Sequence, residues 1–503
     1  MEGLKGIMLQ GTSSDVGKSL IATLFCRLLV QDGINTVPFK SQNMSNNSYV
    51  TTDGFEIGRA QGIQAEAAKV EASVWMNPIL LKPQNDRASE VVLFGRRVDS
   101  LSGMSYRSDF YNTAKKAIET SLNTLEESFD AIVIEGAGSP VEMNLLDREL
   151  VNMMVAEMAD VPVLLVSDIE RGGVFASISG TLSLLREKDR SRVKGIIINK
   201  FRGDKALFDD GVKWIEEHTG LPVVGVLPKL SHHGIEQEDS LGVKALKAGR
   251  GDPSKALKIA VIDLPYISNF TDIEVLLDEE DVSLQWVRRP EELTAQPDLL
   301  IIPGTKSVIH SLKQLKQNGW QKAMKQLHED GAWIMGICGG FQMMGTELID
   351  PHGVDSGIVH LQEKGFNLIP SKTIFEEKKT VIRRTGVILP MEKQPVVSVS
   401  GYEIHLGKTI VEPSFSSRAL IVYENGEKDG IWAPEHRVIG TYLHDIFREK
   451  EARNYLLNEI RVSKGLTRTM GEDPKEDVYD DLAEKLKPYL DWEKIREIMG
   501  LPV

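Results

Sequence analysis

Short apolar runs rich in β-branched residues alternate with amphipathic stretches along most of the chain. "GIMLQG" (6–11), "AIVIEGAG" (131–138), "VPVLLVSD" (161–168) and "VKGIIINK" (193–200) read as buried parallel strands. Strands covered on both faces lose the polar–apolar alternation that a half-exposed strand keeps. "KSLIATLFCRLLVQDG" (18–33) and "NTAKKAIETSLNTLEE" (112–127) carry apolar residues at helical spacing and fall between the strands. This rhythm continues to "LPVVGVLPK" (221–229) and predicts an α/β fold, a parallel sheet with helices on both faces. A second α/β unit opens with "LKIAVIDLP" (257–265) and runs through "DLLIIPGT" (298–305), "AWIMGICGG" (332–340) and "RVIGTYLHDIF" (437–447).

Between the two units the chain turns polar and rich in glycine and charge, so residues 231–257 read as a linker. Four segments follow: a first domain over 1–230, the linker, a second domain over 258–450, and a helical C-terminal tail over 451–503. The length of 503 residues agrees, being too long for one core. A net charge of −14 disfavours nucleic acid and anionic membranes as partners. No apolar run is long enough to cross a bilayer, and the first residues lack the pattern of a secretory signal. Only Cys26 and Cys338 are present, too few for a disulfide framework. The expectation is a cytoplasmic protein with reduced thiols, and a homo-oligomer is compatible with the sequence.

"GTSSDVGKS" (11–19) lies directly between a strand and a helix. Such a loop turns backbone N–H groups and the positive helix end toward phosphate oxygens. Gly11, Thr12, Asp15 and Gly17 would shape it, Lys18 would neutralise the terminal phosphates of ATP, and the Ser19 hydroxyl would ligate Mg²⁺. Five residues separate the first Gly from the Gly-Lys pair, against four in the usual P-loop. That spacing resembles dethiobiotin synthetase and its relatives, which activate carboxylates with ATP. Ligands of open α/β sheets gather at the carboxyl ends of the strands. Lys40, Glu135 and Asn199 end other strands there, offering a cation, a Mg²⁺-side carboxylate and an amide for the adenine edge. Asp53 is a further Mg²⁺ candidate. Each of these is otherwise a polar residue that happens to close a strand.

"MGICGGFQMMG" (335–345) sets Cys338 among glycines where a strand turns into a helix, so that a nucleophile can protrude. Cys26 lies inside an apolar helix and reads as a buried filler. A thiol needs a base or a positive neighbour to be reactive near neutrality. His444 follows a late strand and is the expected base, with His405 in "GYEIHLG" (401–407) as the second candidate. Backbone N–H groups near Pro303 and Gly304 could hold an oxyanion, and Gln342 lies one helical turn past the cysteine.

This half resembles a class I glutamine amidotransferase domain, which releases ammonia from glutamine through a cysteine thioester. The commonest form carries a Glu two residues after the His; here that position is Ile446, and Asp445 would point away from it on a strand. The residue that orients His444 is left open. Longer stretches narrow the resemblance: "PFKSQNMSNNSYVTTDGFEIGRAQGIQAEAA" (38–68), "MNPILLKP" (76–83), "DIERGGVFASISGT" (168–181) and "GYEIHLG". Over about Gly6 to Phe447 the chain is similar to the cobyric acid synthase family of cobalamin biosynthesis. The resemblance implies a dethiobiotin synthetase-like ATP-dependent amide synthetase domain followed by the amidotransferase domain. It implies ATP, Mg²⁺ and glutamine as cofactors and substrates. It implies a small-molecule corrinoid partner, adenosylcobyrinic acid a,c-diamide, amidated at its b, d, e and g carboxylates to adenosylcobyric acid. Gln42, Asn43, Asn46, Asn47, Arg59 and Gln61 would then face the corrin side chains, or else belong to a loop that packs on itself. Arg171, with Gly172 and Gly173, is a candidate for phosphate or carboxylate contact. The rival readings are the sister a,c-diamide synthase, a ParA-like ATPase switch and a degenerate amidotransferase-like module.

Overall fold

The computed structural model describes residues 4–83, 88–102, 110–144, 149–230, 234–235, 251–252, 254–389, 396–469 and 477–502. The chain forms two compact units: Met1–Glu238 together with Lys475–Val503, and Asp239–Pro474. The proposed linker lies largely outside the described residues.

In the first unit six parallel strands form one sheet: β1 (Lys5–Gly11), β2 (Thr36–Phe39), β3 (Ala131–Glu135), β4 (Val163–Asp168), β5 (Val193–Phe201) and β6 (Val223–Pro228), in the order β6-β5-β4-β1-β3-β2. Successive residues serve opposite faces, as the two-residue period of a strand requires. Ile7 and Leu9 join one apolar cluster and Met8 joins the other. The register brings the strand ends into line: Leu9 pairs with Glu135, Gly11 with Val166, and Asp168 with Asn199. Gly11, Glu135 and Asn199 therefore sit at the carboxyl ends of neighbouring strands of this sheet.

Helix α1 (Lys18–Gln31) starts at Gly17, whose φ of 99° is open to glycine at little cost, and stops where Gly33 adopts φ 79°. It is buried along most of its length, including Cys26 and the charged Arg27. A buried guanidinium needs partners, and they come from the far end of the chain. Arg27 donates to Asp480 at 2.7 and 3.0 Å and also bonds Asp477. Trp492 packs edge-on against Phe25 at 5.2 Å between centroids and donates to Asp32 at 2.7 Å. Residues expected to form one separate tail thus divide. Helix Lys450–Ser463 lies in the second unit, held by Arg453 on Glu279 at 2.7 Å and Arg461 on Asp281 at 2.7 Å. Helices Val478–Leu486 and Trp492–Ile498 complete the core of the first.

The second unit contains a six-stranded sheet: β7 (Leu257–Ile262), β8 (Val282–Val287), β9 (Leu299–Ile302), β10 (Trp333–Ile337), β11 (Ile431–Ala433) and β12 (Val438–Thr441), ordered β8-β7-β9-β10-β12-β11. All its pairings are parallel except β11 with β12. A second sheet is built on two long antiparallel strands, Ser371–Ile388 and Val397–Val411. Among the described residues no helix is long and apolar enough to cross a membrane.

Asp480→Ala should leave Arg27 short of one partner in an otherwise dry position. Because the Asp480 side chain is half exposed, the loss should be about 1–3 kcal/mol, less than for a fully buried pair. A lowered urea midpoint for the first unit checks it, and an unchanged midpoint refutes the clamp.

Candidate functional site

In the first unit the loop after β1 is held from several sides. Thr12 N–H donates to the Val166 carbonyl at 2.9 Å, and its hydroxyl meets Ser167 at 3.0 Å. Lys18 Nζ lies 3.3 Å from the Gly138 carbonyl and 3.4 Å from that of Ser13, on the inner side of the loop. Asp15 adopts φ 60°; its carboxylate lies 3.5 Å from Arg171, and its carbonyl accepts from Lys200. Asn199, expected at the adenine edge, donates its amide to the Val16 carbonyl at 2.7 Å. It stands so close to Gly17 that a Cβ there would come within 2.1 Å. Asn199 therefore braces the loop backbone.

Glu135 is the hub of this cluster and is almost fully buried. It accepts from Ser19 at 2.8 Å, from Lys40 at 2.8 Å and from Gln64 at 2.7 Å. Burial alone would raise its pKa, but the Lys40 charge and the three hydrogen bonds outweigh that and hold the carboxyl below its ordinary value. Asp53 is not part of the cluster. It occupies the exposed turn between strands Ser48–Val50 and Glu56–Gly58, where it accepts from Thr51.

The polar run after Lys40 largely packs on itself. Asn43 donates to Gln61 at 3.0 Å, Arg59 N–H to the Asn47 carbonyl at 3.2 Å, and the Arg59 guanidinium lies 5.8 Å from the Tyr49 ring centre. Asn43, Asn47, Arg59 and Gln61 are buried, whereas Gln42 and Asn46 are half-buried and Met44 is exposed. Lys82 and Glu56 form a buried ion pair under this loop, with Ser48 2.5 Å from Lys82. Arg171, half exposed, precedes two left-handed glycines, Gly172 and Gly173, and also lies 3.7 Å from Asp168.

In the second unit Cys338 joins β10 to the helical turn Gly339–Met343 with φ 49° and ψ −110°. This is an unusual backbone for a residue with a side chain, of the kind that persists where its surroundings enforce it. The enforcement is visible in the glycines. A Cβ on Gly340 would fall 1.9 Å from the Ile302 carbonyl oxygen, and one on Gly339 3.2 Å from the Thr305 nitrogen. The turn therefore crosses the end of β9 backbone to backbone. Gly304, on that strand end, sits where a Cβ would lie 3.2 Å from His444 Cε1 and 3.7 Å from Cys338 Cβ. Cysteine, histidine and the candidate oxyanion backbone are thus brought together.

His444 is buried, stacks on Tyr402 at 5.3 Å and places Nδ1 2.7 Å from Asp272 Oδ2. Burial alone would lower its pKa; the charges of Asp272 and Cys338, with hydrogen bonds to both, outweigh this and lift it from 6.5 to about 10. His405 stands one layer back. Its nitrogens meet Glu403 at 3.1 Å and the Gly407 carbonyl at 2.8 Å, and its ring packs 4.0 Å from that of Tyr442. Gln342 bonds the Tyr442 hydroxyl at 3.2 Å. Cys26 is buried inside α1, and burial pushes its thiol far up.

Asp272, Gln64 and Lys200 were not singled out from the sequence. Asp272 lies 172 residues before His444, so spacing offered no signal for it. Lys200, at φ 60°, bridges Asp168 at 3.2 Å and the loop, and its only hint was its place directly after Asn199 at a strand end.

Against known proteins, residues 7–239 match the CobQ/CobB/MinD/ParA nucleotide binding domain and residues 258–452 match the CobB/CobQ-like glutamine amidotransferase domain. The two matches define an ATP-dependent glutamine amidotransferase, a ligase in two domains. The chain is 46% identical over 497 residues to a cobyric acid synthase of Geobacillus kaustophilus, covering 98% of this chain and 97% of the relative. It is 45% identical to cobyric acid synthases of Anoxybacillus flavithermus over 499 residues, covering 98% of this chain and 97% of the relative, and of Limosilactobacillus reuteri over 509 residues, covering 99% and 98%. The chain belongs to the cobyric acid synthase family.

Gly340→Ala should force β9 and the cysteine turn apart. A displacement of about 1 Å at a reacting centre costs on the order of 10²-fold in rate. Glutamine hydrolysis should fall by at least that factor while ATP binding persists; undiminished hydrolysis would show that the crossing does not set the site.

Proposed function

We propose that the second unit hydrolyses glutamine at Cys338 with His444 as its acid–base partner, and that the first unit uses ATP to activate corrinoid carboxylates for amidation. The observation that carries this reading is the convergence of a left-handed, glycine-flanked Cys338, a buried His444 and the Gly304 backbone.

The Cys338 sulfur, as thiolate, attacks the carboxamide carbon of glutamine. Backbone N–H groups around Gly304 and after Cys338 receive the oxyanion. His444 gives a proton to the departing ammonia, then takes one from the water that hydrolyses the thioester, leaving glutamate. At the other site a substrate carboxylate oxygen attacks the terminal phosphorus of ATP, and ADP leaves. Ammonia attacks the acyl phosphate carbon, phosphate leaves, and an amide remains. Excluding water protects that intermediate from hydrolysis.

ATP would lie on the loop 11–19, with Lys18 at the terminal phosphates. Mg²⁺ would be held by Ser19 and Glu135, a hydroxyl and a carboxylate of the hard-oxygen kind it prefers. The adjacent Gln64 Oε1 is buried without a hydrogen-bond partner among the described residues, which suits a polar occupant. When bound, the ion neutralises phosphate charge. Mg²⁺ commonly takes one or two protein oxygens and shares its remaining positions with phosphates and water. Adenosylcobyrinic acid a,c-diamide is the substrate this reading assigns, amidated at the b, d, e and g positions. Gln42 and Asn46, half-buried in the polar loop, and the half-exposed Arg171 are the groups this reading assigns to its side chains.

Cys338→Ser should abolish glutamine-driven amidation yet leave ammonium-driven amidation within a few-fold; glutamine-driven turnover by the variant would dismiss the nucleophile. Lys18→Ala should stop amidation from either nitrogen source, followed as mass change per amide on the corrinoid. Continued turnover would dismiss the nucleotide loop.

A further inference from the structure

The usual acid two residues past the histidine is replaced by Ile446, an apolar core residue with no exposed surface. Yet an imidazole in a dry site still needs something to fix its ring and its tautomer. Asp445 does not supply it: this residue turns away at φ 64°, and its carboxylate lies 3.9 Å from Arg448. The carboxylate that does meet the ring arrives from the start of the domain, in the segment between β7 and β8. Asp272 Oδ2 lies 2.7 Å from His444 Nδ1, and Asp272 Oδ1 accepts the Asp445 backbone N–H at 2.7 Å. One carboxylate thus grips both the ring and the turn that carries it. Both side chains are almost wholly out of water.

The same segment is tied on its other side to the candidate oxyanion strand. Ser268 N–H donates to the Gly304 carbonyl at 2.9 Å, and Lys306 N–H to the Tyr266 carbonyl at 3.1 Å. The Thr305 hydroxyl donates to that same Tyr266 carbonyl at 3.2 Å, and Ile267 bridges Thr305. Seven residues, Tyr266 to Asp272, therefore span from the Gly304 backbone to the histidine.

We propose that Asp272 is the positioning residue of the glutaminase, the third member of a Cys338–His444–Asp272 triad whose acid precedes both partners in the chain. Bonded at Nδ1, His444 keeps Nε2 as the nitrogen for Cys338 and is favoured in its protonated form. The groups facing the imidazole are Asp272 from this segment, Cys338 from the end of β10 and Tyr402 from strand Val397–Val411, with Asp445 beside it in its own turn. Asp272 brings the negative charge hydrogen-bonded to the ring, so its removal must make His444 easier to deprotonate. The inference rests on the glutaminase reading above.

The test measures glutamine hydrolysis against pH in the full-length chain for wild type, Asp272→Asn and Asp272→Glu, with thermal unfolding as the check on folding. Asp272→Asn should lower kcat by about 10⁴-fold, in the range seen when a triad acid is neutralised. The basic limb of its kcat/KM profile should move to lower pH, because the uncharged amide no longer favours imidazolium. Asp272→Glu, which keeps the charge, should recover part of kcat and return the limb toward wild type. Unchanged hydrolysis and an unmoved limb in the Asn variant overturn the proposal. So does equal loss in both variants with the limb unmoved, which would mark Asp272 as packing only. Glutamine hydrolysis surviving Cys338→Ser would sink the glutaminase reading itself, a different result from either of these.

Discussion

A charge removed from water must be met by an opposite charge or by hydrogen bonds, and this requirement ties the molecule together across long stretches of chain. Glu135 is answered by Lys40, 95 residues earlier, and Arg27 by Asp480, 453 residues later. His444 is answered by Asp272, and Arg461 by Glu279 and Asp281. In each case the partner comes from a distant part of the chain. Such pairs add little net stability over a well-packed apolar core. They do penalise any arrangement in which a partner is missing, and so they discriminate against misplaced loops.

That distribution explains what could be read from the amino-acid sequence. The strands announced themselves as apolar runs, because burial on both faces of a parallel sheet is a local composition signal. The loop 11–19 and the Cys338 turn were legible for the same reason: glycine at a strand–helix junction is required by backbone geometry, and neighbours in sequence enforce it. What escaped were partners supplied from afar by segments without a motif of their own. Asp272 sits in "NFTDIE", which carries no periodic or motif signal. Asn199 was placed correctly at a strand end, but its amide faces Val16, a choice fixed by how near the loop approaches β5. In the stretch that read as a helical tail, helices Val478–Leu486 and Trp492–Ile498 join the core of the first unit, and the attachment of the former to α1 depends on a buried arginine that an apolar helix pattern disguises.

The polar run after Lys40 shows the opposite lesson. Its asparagines, glutamine and arginine look like a surface awaiting a ligand, yet most of them bond one another beside the Lys82–Glu56 pair. A polar side chain recognises substrate directly only if it retains an unused donor or acceptor at an accessible surface. Asn43, Arg59 and Gln61 are drawn into such internal bonds and hold the loop in shape. The family resemblance is densest over this run, and the structure gives it an architectural content before a recognition one.

Both units solve one geometrical problem with opposite choices. A parallel strand must turn abruptly into a helix so that the junction faces the open end of the sheet. In the first unit the residue directly before the helix is Gly17, which takes a positive φ and has no side chain, and Lys18 follows it. In the second the left-handed residue is Cys338 itself, and the glycines are displaced to the following positions, where they let the turn press against β9. The second arrangement sets a single sulfur beside the His444 imidazole. Gly17 makes room for the Asn199 side chain and Gly340 for the Ile302 carbonyl, so in both units glycine lets the junction press against the protein itself.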